Sequence, residues 1–587
     1  MSIRYIALID DVDHLHRGPL EDASNILGQA GLRHQLCAGP VRLFTSAETP
    51  VLLLRGGGAI VGDLFTREGA PIRDVASLPE FASSSLLREH ILQRCWGEYL
   101  LIQTMTEADN GVVIMRDPSG GIPCVYSLAG DAKFITSDIS LATHLGLYQK
   151  SIDWDSIAES LLHPHLKRER TGLAGVRELL PGCSLRIHAA TAVSKMEWSP
   201  WRFVASDLRH NDPREAAADV RKAVRTVVRA LAETDKSVLL ELSGGLDSSI
   251  VGANLRDTPG QVTCCTLVTP VPGADERQYA KLIADEVGVR LEAEYLSIDD
   301  ARFCFALAAS SVAPRIGALQ YAIDQVIDAV GKKLHIGSFF SGGGGDTVFC
   351  YLKGASPAAD AFKERGLAAG IRAVLDLSEL HQCTLWKAGR LTLRKLWAAP
   401  KAASKPDTSF LAHRPHAGPS EDHPWFAAPI DALPGDRERI IDLAGTQVFR
   451  DLLPRGETRR LRMPLLSQPV FESCLKAPCW MWIAGGRDRA VARSAFEDLL
   501  PSGILNRRSK GTFVSYSGAI YRQNKDQIRE FLLGGHLEAR GLLDASSLRL
   551  FFEQDLASRD LRFMRIFELC MIENWVRHQS QPLNLLQ

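Results

Sequence analysis

Hydrophobic and polar positions follow one pattern before about residue 212 and a different pattern after it. Before this point, short apolar runs of strand length alternate with turn residues. Five of these runs are predicted strands, at 51–54, 59–65, 99–103, 112–115 and 134–137. Glycine- and proline-rich turns at 56–58 and 118–121 separate some of them. The N-terminal part is therefore predicted to be built mainly from β-strands.

A helix is predicted to begin at residue 213. Asp212 suits the N-cap, Pro213 the first helical position, and Glu215 can complete a capping box. Apolar residues then recur at helical spacing and form one stripe: Val220, Val224, Val227, Val228 and Leu231. The segments before the helix, Trp-Ser-Pro-Trp at 198–201 and the polar stretch 206–211, are the candidate linker. We therefore divide the chain into domains at 1–205 and 206–587.

After this helix, strands and helices are predicted to alternate. The strands are expected at 237–242, 262–268, 291–296 and 334–340; the helices at 248–255, at 275–287 with Gly288 as the terminator, and onward to about 329. Such alternation predicts a parallel, doubly wound sheet with ligands at the carboxyl ends of its strands. From residue 436 the chain is expected to be mostly helical. The Pro-, Ala-, Ser- and His-rich stretch 398–424 is predicted to be a loop and a candidate lid.

Composition narrows the class of protein. The chain has 587 residues, 45% of them hydrophobic, with 68 Lys and Arg against 69 Asp and Glu. Near-neutral charge gives no reason to expect nucleic acid or a membrane as partner, and no apolar run is long enough to span a bilayer. The N-terminus has neither the basic region nor the long apolar region of a signal peptide. Twelve cysteines without a Cys-x-x-Cys pair argue against a disulfide framework or zinc site, so a reducing cytoplasm is expected.

The first segment that carries chemistry is Leu-Ser-Gly-Gly-Leu-Asp-Ser-Ser at 242–249. A strand ends here, glycines let the backbone approach an anion, and a helix N-terminus supplies oriented N–H groups. The segment lacks the Gly-Lys-Ser/Thr ending of a Walker A loop. It resembles the pyrophosphate loop of ATP pyrophosphatases, which cleave ATP between the α and β phosphates. This resemblance predicts an ATP and pyrophosphate site formed by Leu242, Ser243, Gly244, Gly245, Asp247 and Ser248. A carboxylate beside phosphates needs a cation between them, so Asp247 is a predicted Mg²⁺ ligand.

A second glycine-rich loop, Ser-Gly-Gly-Gly-Gly-Asp at 341–346, follows a later predicted strand. Four consecutive glycines are costly to order, which favours close approach of the backbone to a ligand. The loop resembles that of asparagine synthetases and adds Ser341 and Gly342 to the predicted ATP site. Asp346 is then a second predicted Mg²⁺ ligand and, with Asp247, a predicted catalytic residue.

Two further segments resemble the same family. Arg-Arg-Ser-Lys-Gly-Thr-Phe at 507–513 places Lys510 where it would neutralise the departing pyrophosphate, which makes it the third predicted catalytic residue. Asp-Glu-Arg-Gln-Tyr-Ala at 275–280 either lines the site or is a helix start with acidic residues in its first turn, and the sequence does not decide between the two.

The N-terminal part resembles the glutaminase domain of asparagine synthetases in four segments, at 62–65, 97–101, 116–118 and 136–139. Such domains use an N-terminal Cys, whereas here Ser2 follows Met1 and Val61 stands where Asn is expected. Ser2 is either a replacement nucleophile, activated by the chain's own amine once Met1 is removed, or it has no catalytic role. The second alternative makes the domain an inactive relic. The resemblance predicts an Ntn-hydrolase-like α+β sandwich, followed by an ATP-pyrophosphatase-type parallel α/β synthetase domain with a helical C-terminal region.

Family members without the Cys use an amine of the substrate itself, and this chain is most similar to lasso peptide cyclases. The four-glycine loop and the segments at 464–470 and 485–490 carry that similarity. β-Lactam synthetases have a catalytic Tyr where this chain has Gly343. The resemblance implies ATP and Mg²⁺ as cofactors, a precursor peptide as substrate, and a leader-binding or leader-protease protein as partner. A small-molecule amide ligase and an inactive scaffold are the rival hypotheses.

Overall fold

The computed structural model describes residues 3–9, 18–105, 111–129, 133–188, 191–256, 258–271, 275–351, 353–398, 405–412, 423–451, 453–507, 513–557 and 560–581. Ser2 and Lys510 lie outside these ranges, as does most of the predicted lid at 398–424. The chain has a mixed α/β fold in which two antiparallel sheets precede a parallel sheet and a largely helical C-terminal region.

The N-terminal part contains two six-stranded antiparallel sheets. One has the order β10-β8-β9-β1-β3-β2 and the other β12-β11-β7-β6-β5-β4. The strands are β1 Tyr5–Ile9, β2 Leu32–Ala38, β3 Val41–Ser46, β4 Val51–Leu53, β5 Gly58–Thr66, β6 Cys95–Thr104, β7 Gly111–Arg116, β8 Val125–Ser127, β9 Lys133–Thr136, β10 Arg177–Glu178, β11 Cys183–His188 and β12 Thr191–Met196. The helices are α1 Gly18–Gln29, α2 Ser84–Arg94, α3 Ile139–His144 and α4 Trp154–Leu162.

Period-two alternation explains how these sheets pack. Tyr5, Ala7 and Ile9 of β1 share one apolar cluster with Val61 of β5 and Ile102 of β6. The two sheets therefore face each other as a sandwich. The intervening residues of β1 point to the opposite face and join a cluster with the C-terminal helices. The structure confirms the five predicted strands with small shifts of their ends.

The second sheet system is a five-stranded parallel sheet with the order β15-β14-β13-β16-β17. Its strands are β13 Ser237–Glu241, β14 Gln261–Val268, β15 Arg290–Tyr295, β16 Ser338–Ser341 and β17 Arg460–Arg462. The first helices are α5 Pro213–Thr234, α6 Leu246–Asn254, α7 Arg277–Val287, α8 Ala318–Lys333 and α9 Gly345–Val348. The predicted parallel sheet is confirmed, and Gly288 ends α7 with a φ of 75° as expected.

The remaining elements are mostly helical. Two helices that were not predicted come first, α10 Ser356–Leu380 and α11 Leu385–Trp397. The helices of the region predicted to be mostly helical follow: α12 Pro434–Thr446, α13 Pro454–Thr458, α14 Gln468–Lys476, α15 Ala490–Ala495, α16 Ser502–Leu505, α17 Val514–Leu533, α18 His536–Ala539, α19 Ala545–Glu553 and α20 Phe563–Ser580. The edge strand β17 within this region was not predicted. Three residues give too little periodicity for a strand to be recognised.

Three sequence predictions need correction. Strand β16 begins at Ser338 rather than 334, because His335 has a φ of 51° in the turn that ends α8. Asp212 caps α5 through the N–H of Arg214, not through the predicted capping box with Glu215. The candidate linker is packed: Trp198 and Trp201 are buried, and the indole N–H of Trp201 donates to the carbonyl of Trp425 at 2.7 Å.

The cysteines behave as small apolar side chains. All twelve are free, and nine of them are buried. Burial raises the pKa of Cys264 to about 12, which disfavours the reactive thiolate. Within the ranges that the structure covers, no helix is both long and apolar enough to traverse a bilayer.

Candidate functional site

The two glycine-rich loops lie side by side because β13 and β16 are neighbouring parallel strands. Leu240 pairs with Phe340 and Glu241 with Ser341, so both strands end at the same level. The first loop then leads into α6 and the second into α9. The sequence predicted each loop separately, and the strand order brings them together at one edge of the sheet.

Glycine allows the second loop to reach the first. A Cβ on Gly342 would lie 2.6 Å from the backbone nitrogen of Ser248. A Cβ on Gly345 would lie 2.4 Å from the Cβ of Asp247. At least two of the four glycines are therefore required by contact between the loops, since no side chain fits at these positions. The first loop is held by the hydroxyl of Ser248, which accepts from the N–H of Ser243 at 3.2 Å.

Asp247 and Asp346 converge on one guanidinium group. Nη1 of Arg489 lies 3.4 Å from Oδ1 of Asp247 and 3.0 Å from Oδ1 of Asp346. The Asp247 side chain is buried, whereas that of Asp346 is 45% exposed, so the pair faces a partly open space. The two predicted metal ligands are thus close enough to hold a cation between them.

Arg489 was not among the predicted site residues, although it lies in the segment 485–490 that resembles lasso cyclases. It has a left-handed backbone with a φ of 53°, which is unfavourable for a residue with a Cβ. Burial alone would lower its pKa, but the carboxylates of Asp247, Asp488 and Asp346 outweigh burial and raise it. A buried, strained and fully charged arginine indicates a site for negative charge.

The donor set fits Mg²⁺. Carboxylate oxygens are the ligands that this hard cation prefers, and phosphate oxygens of a nucleotide complete its coordination in many transferases. Asp247 and Asp346 already hold one cation, the Arg489 guanidinium, in this structure. Within the described residues, no cluster of three or more His, Cys, Asp or Glu side chains forms a metal cage. A Mg²⁺ ion here would therefore be held by the two carboxylates together with phosphate oxygens of the bound nucleotide.

The start of the predicted basic segment contacts the first loop. Nη1 of Arg507 donates to the carbonyl of Gly244 at 3.1 Å, and its guanidinium pairs with Glu276. The guanidinium also lies 3.9 Å from the ring centroid of Tyr279. Of the two interpretations of segment 275–280, this geometry favours the one in which it lines the site. Lys510 itself falls outside the described residues.

The carboxyl end of β13 carries a second ionic group. Glu241 pairs with Arg455, whose Nε is 3.3 Å from the carboxylate of Asp324. Burial raises the pKa of Asp324 to about 6, against the opposing effect of Arg455. Ser341 reaches the same group, since its hydroxyl donates to Glu241 at 3.4 Å. The strand ends before the two loops are therefore linked by a side-chain hydrogen bond.

Gly343 leaves room where β-lactam synthetases have a tyrosine. A Cβ there would meet the Ser341 hydroxyl at 3.4 Å and the Met463 sulfur at 3.5 Å. These are near-normal contacts, so packing alone does not require glycine at 343, in contrast to Gly342 and Gly345.

A separate cavity of about 350 Å³ lies between the N-terminal sheets and the C-terminal half. Its lining includes Ile3, Glu98, Asp138, Ser310 and Glu457. It does not include Asp247 or Asp346, so this cavity and the paired carboxylates are different places in the molecule.

Comparison with known proteins agrees with this geometry. A family model described as asparagine synthase matches residues 219–577, more than half of the chain. Similar curated proteins include putative glutamine-hydrolyzing asparagine synthetases from Mycobacterium bovis and Mycobacterium tuberculosis. Each is 25% identical over 455 residues, which is 72% of this chain and 67% of the relative.

Solved structures give no comparable support. Glutamine phosphoribosylpyrophosphate amidotransferase from B. subtilis, complexed with ADP and GMP, is 11% identical and matches 49% of this chain and 65% of its own. Its TM-score of 0.19 is too low to establish a shared fold.

Proposed function

Because the chain belongs to the asparagine synthase family, we propose that it is an ATP-dependent peptide macrolactam cyclase of the lasso peptide type. The family supports an ATP-dependent, amide-forming ligase. The observation that carries the proposal is the pair Asp247 and Asp346 at the ends of adjacent parallel strands, each in a glycine-rich loop. Gly343 in place of a tyrosine favours the peptide cyclase over a β-lactam-type synthetase.

The proposed reaction has two steps. An Asp or Glu side-chain carboxylate of the peptide attacks the α-phosphorus of ATP, the bond to the β-phosphate oxygen breaks, and pyrophosphate leaves. The peptide's N-terminal amine then attacks the acyl carbon, its proton is released, and AMP departs with the electron pair of the broken bond. The peptide loses the elements of one water, and ATP becomes AMP and pyrophosphate.

The residues of the site divide this work. Leu242, Ser243, Gly244, Gly245, Ser248, Ser341 and Gly342 would bind ATP and its pyrophosphate part through backbone and hydroxyl groups. Asp247 and Asp346 would hold Mg²⁺, which supplies charge neutralisation between the phosphates when bound. Lys510 would stabilise the leaving pyrophosphate. We add Arg489 as a phosphate-contacting residue, because it already lies between the two carboxylates.

The two remaining requirements concern the substrate. The site must hold amine and acyl carbon together, where effective molarity reaches about 10⁵–10⁸ M. It must also exclude water, which would hydrolyse the adenylate.

We propose that residues 206–587 form the synthetase and that residues 1–205, an Ntn-like sandwich, support it without glutaminase activity. A leader-binding or leader-protease protein would deliver the precursor.

The second candidate is an asparagine-synthetase-like ligase that uses ammonia from glutamine. The mycobacterial relatives favour it, since they are named as putative glutamine-hydrolyzing asparagine synthetases. It requires a nucleophile at the N-terminus, where this chain has Ser2.

One experiment separates the two candidates. The protein is incubated with ATP, Mg²⁺ and synthetic precursor peptides, and products are identified by mass spectrometry. A cyclase gives the peptide minus one water together with AMP, and an N-acetylated peptide does not react. The variant Ser2→Ala should close the ring at the wild-type rate. Glutamate formed in step with product, or closure of the acetylated peptide, would contradict the cyclase and favour the second candidate.

A further inference from the structure

Exposed apolar side chains are concentrated on one helical hairpin. Helices α10 and α11 pack against each other and are joined by residues 381–384. Among the described residues, 21 large apolar side chains are exposed, and seven of them belong to this hairpin: Leu367, Ile371, Leu375, Leu385, Trp386, Leu393 and Trp397. Scattered single apolar residues are normal on a protein surface, whereas a cluster of this kind marks an interaction face.

Helix α11 has its apolar stripe on the solvent side. Trp386, Leu393 and Trp397 recur at a spacing of seven and four residues and therefore lie on one face. Trp386 is 86% exposed and Trp397 is 78% exposed. The side turned to the protein carries the buried residues Ala388 and Thr392, and Leu391 packs there against the main core cluster. A surface helix that only packs on the core would turn its large apolar stripe toward the core.

Helix α10 adds a second exposed apolar row. A break in the helix at Gly366, with a φ of 80°, separates its first part from the part that carries Leu367, Ile371 and Leu375. These three residues are spaced by four and share a face. Ala373 and Leu377, on the opposite side, are buried in the main core cluster of the C-terminal half. Both helices thus present a row of large apolar side chains to solvent, in addition to the side chains that they pack against the core.

The hairpin carries a net positive charge, which comes from α11. Residues 356–397 contain seven Lys and Arg and four Asp and Glu; all four acidic residues lie on α10, whereas α11 has four Lys and Arg and no acidic residue. On α11, Lys387, Arg390 and Arg394 are exposed beside the tryptophans, and Lys395 pairs with Glu438. On α10, two of the acidic residues are engaged with the protein: Glu364 pairs with Arg209, and Asp376 accepts from the N–H of Gly486.

We propose that the exposed face of the α10–α11 hairpin binds the surface of an anionic lipid membrane. An amphipathic helix with Trp and Leu on one face and Lys and Arg beside it is the pattern of a helix that lies in the interface. Tryptophan is favoured at headgroup depth, and the long stem of Arg390 lets its charge reach the headgroups. A second copy of the same face would meet like charge, which disfavours self-association.

This face is separate from the proposed catalytic residues, so the proposal stands independently of the reaction. It also departs from the sequence prediction of no membrane partner, which rested on total charge and on spanning segments. Neither quantity detects a local basic, apolar face. A connection to the site exists through Asp376, because Gly486 lies in the loop that leads to Arg489.

Co-sedimentation with vesicles tests the proposal. The full chain is mixed at low salt with vesicles of phosphatidylcholine and phosphatidylglycerol, or of phosphatidylcholine alone. We expect sedimentation with the anionic vesicles, much weaker sedimentation with the neutral ones, and release at high salt. No sedimentation with anionic vesicles would overturn the proposal and leave the face to a protein partner. Equal binding to both vesicle types would overturn the anionic assignment.

Variants locate the binding face. Lys387→Gln, Arg390→Gln and Arg394→Gln combined should weaken binding about 10²-fold, at about fivefold for each basic residue. Trp386→Ser with Trp397→Ser should weaken it at least about tenfold. The matched control is Ile430→Ser with Leu550→Ser, which removes two exposed apolar residues elsewhere and should bind like wild type. All variants should show the thermal unfolding transition of the wild type, which confirms their fold. A tryptophan variant that binds like wild type would contradict the assignment.

Discussion

Two groups of carboxylates in this molecule lie against arginine, and they differ in their exposure to solvent. At the junction of the N-terminal sheets and the C-terminal half, Asp63 and Glu98 face each other on β5 and β6. Arg462, fully buried, reaches both and also Asp235. In the candidate site, Nη1 of Arg489 lies between Asp247 and Asp346, and Asp346 is half exposed.

The difference indicates which group is structural. Like charges directly opposite on adjacent strands are destabilising unless a cation lies between them, and Arg462 is that cation at the junction. Arg450 and Arg460 add further pairs to Glu98 and Asp63. The pKa of Asp63 is lowered although burial alone would raise it, because Arg462 and Arg460 outweigh burial. In the site, the Asp346 side chain is 45% exposed, so a cation from solvent can reach this carboxylate.

The largest expected effect tests the site. Asp247→Asn and Asp346→Asn should each abolish pyrophosphate release, since loss of a metal ligand removes charge stabilisation of several kcal/mol. ATP/pyrophosphate exchange in Mg²⁺ measures the loss. Thermal unfolding should change little, because Asp346 is half exposed and Asn conserves the shape of both side chains. Asp498→Asn, which breaks a surface pair with Arg221, is the control. Near-wild-type exchange in either variant would show that the substituted aspartate is not a Mg²⁺ ligand.

At the junction, we expect a substitution to lower the stability of the protein. Arg462→Ala leaves three carboxylates buried without their common partner and should lower the free energy of unfolding by about 3–5 kcal/mol. Chemical denaturation measures this. Arg221→Ala, which removes an exposed ion pair with Asp498, should cost less than about 1 kcal/mol. If the two variants are equally stable, the junction cluster does not hold the two parts together.

The next prediction concerns Lys510 of the candidate site, which lies outside the described ranges. Lys510→Ala should reduce kcat about 10²–10³-fold while KM for ATP changes less, because the contact strengthens as pyrophosphate leaves. Steady-state kinetics of pyrophosphate release separate the two parameters. An effect confined to KM would make Lys510 a binding residue only.

The smallest effect concerns His423, a buried residue whose two ring nitrogens bond to uncharged groups. Burial lowers the pKa of His423 to about 4; its Nδ1 accepts from the N–H of Trp425 and its Nε2 donates to the amide oxygen of Gln447. The unfolded chain therefore binds more protons between pH 6.5 and 4, and stability should fall as pH decreases through this range. The contribution is roughly 3 kcal/mol between pH 7 and pH 4. Denaturation of His423→Asn should show a smaller loss on acidification; an unchanged loss would assign the titration to other groups.

The sequence by itself identified the two glycine-rich loops, the strands before them, and helix α5 with its cap at Asp212. These features depend on residues close together in the chain: a Gly-rich turn, an apolar period and a capping side chain. The same information placed Asp247 and Asp346 at strand ends without any knowledge of the strand order.

Only the tertiary structure decided how these parts meet. The sequence does not state that β13 neighbours β16, yet this pairing brings Asp247 to Asp346 and makes Gly342 and Gly345 necessary. Arg489 enters the site from a segment 143 residues after Asp346. In the N-terminal part, Asp63 and Glu98 fell in segments that resemble a glutaminase, but the structure places them in a buried ionic junction. Apolar periodicity and turn residues report only on residues that are close in sequence. Burial and charge pairing between distant segments are therefore determined by the tertiary structure alone.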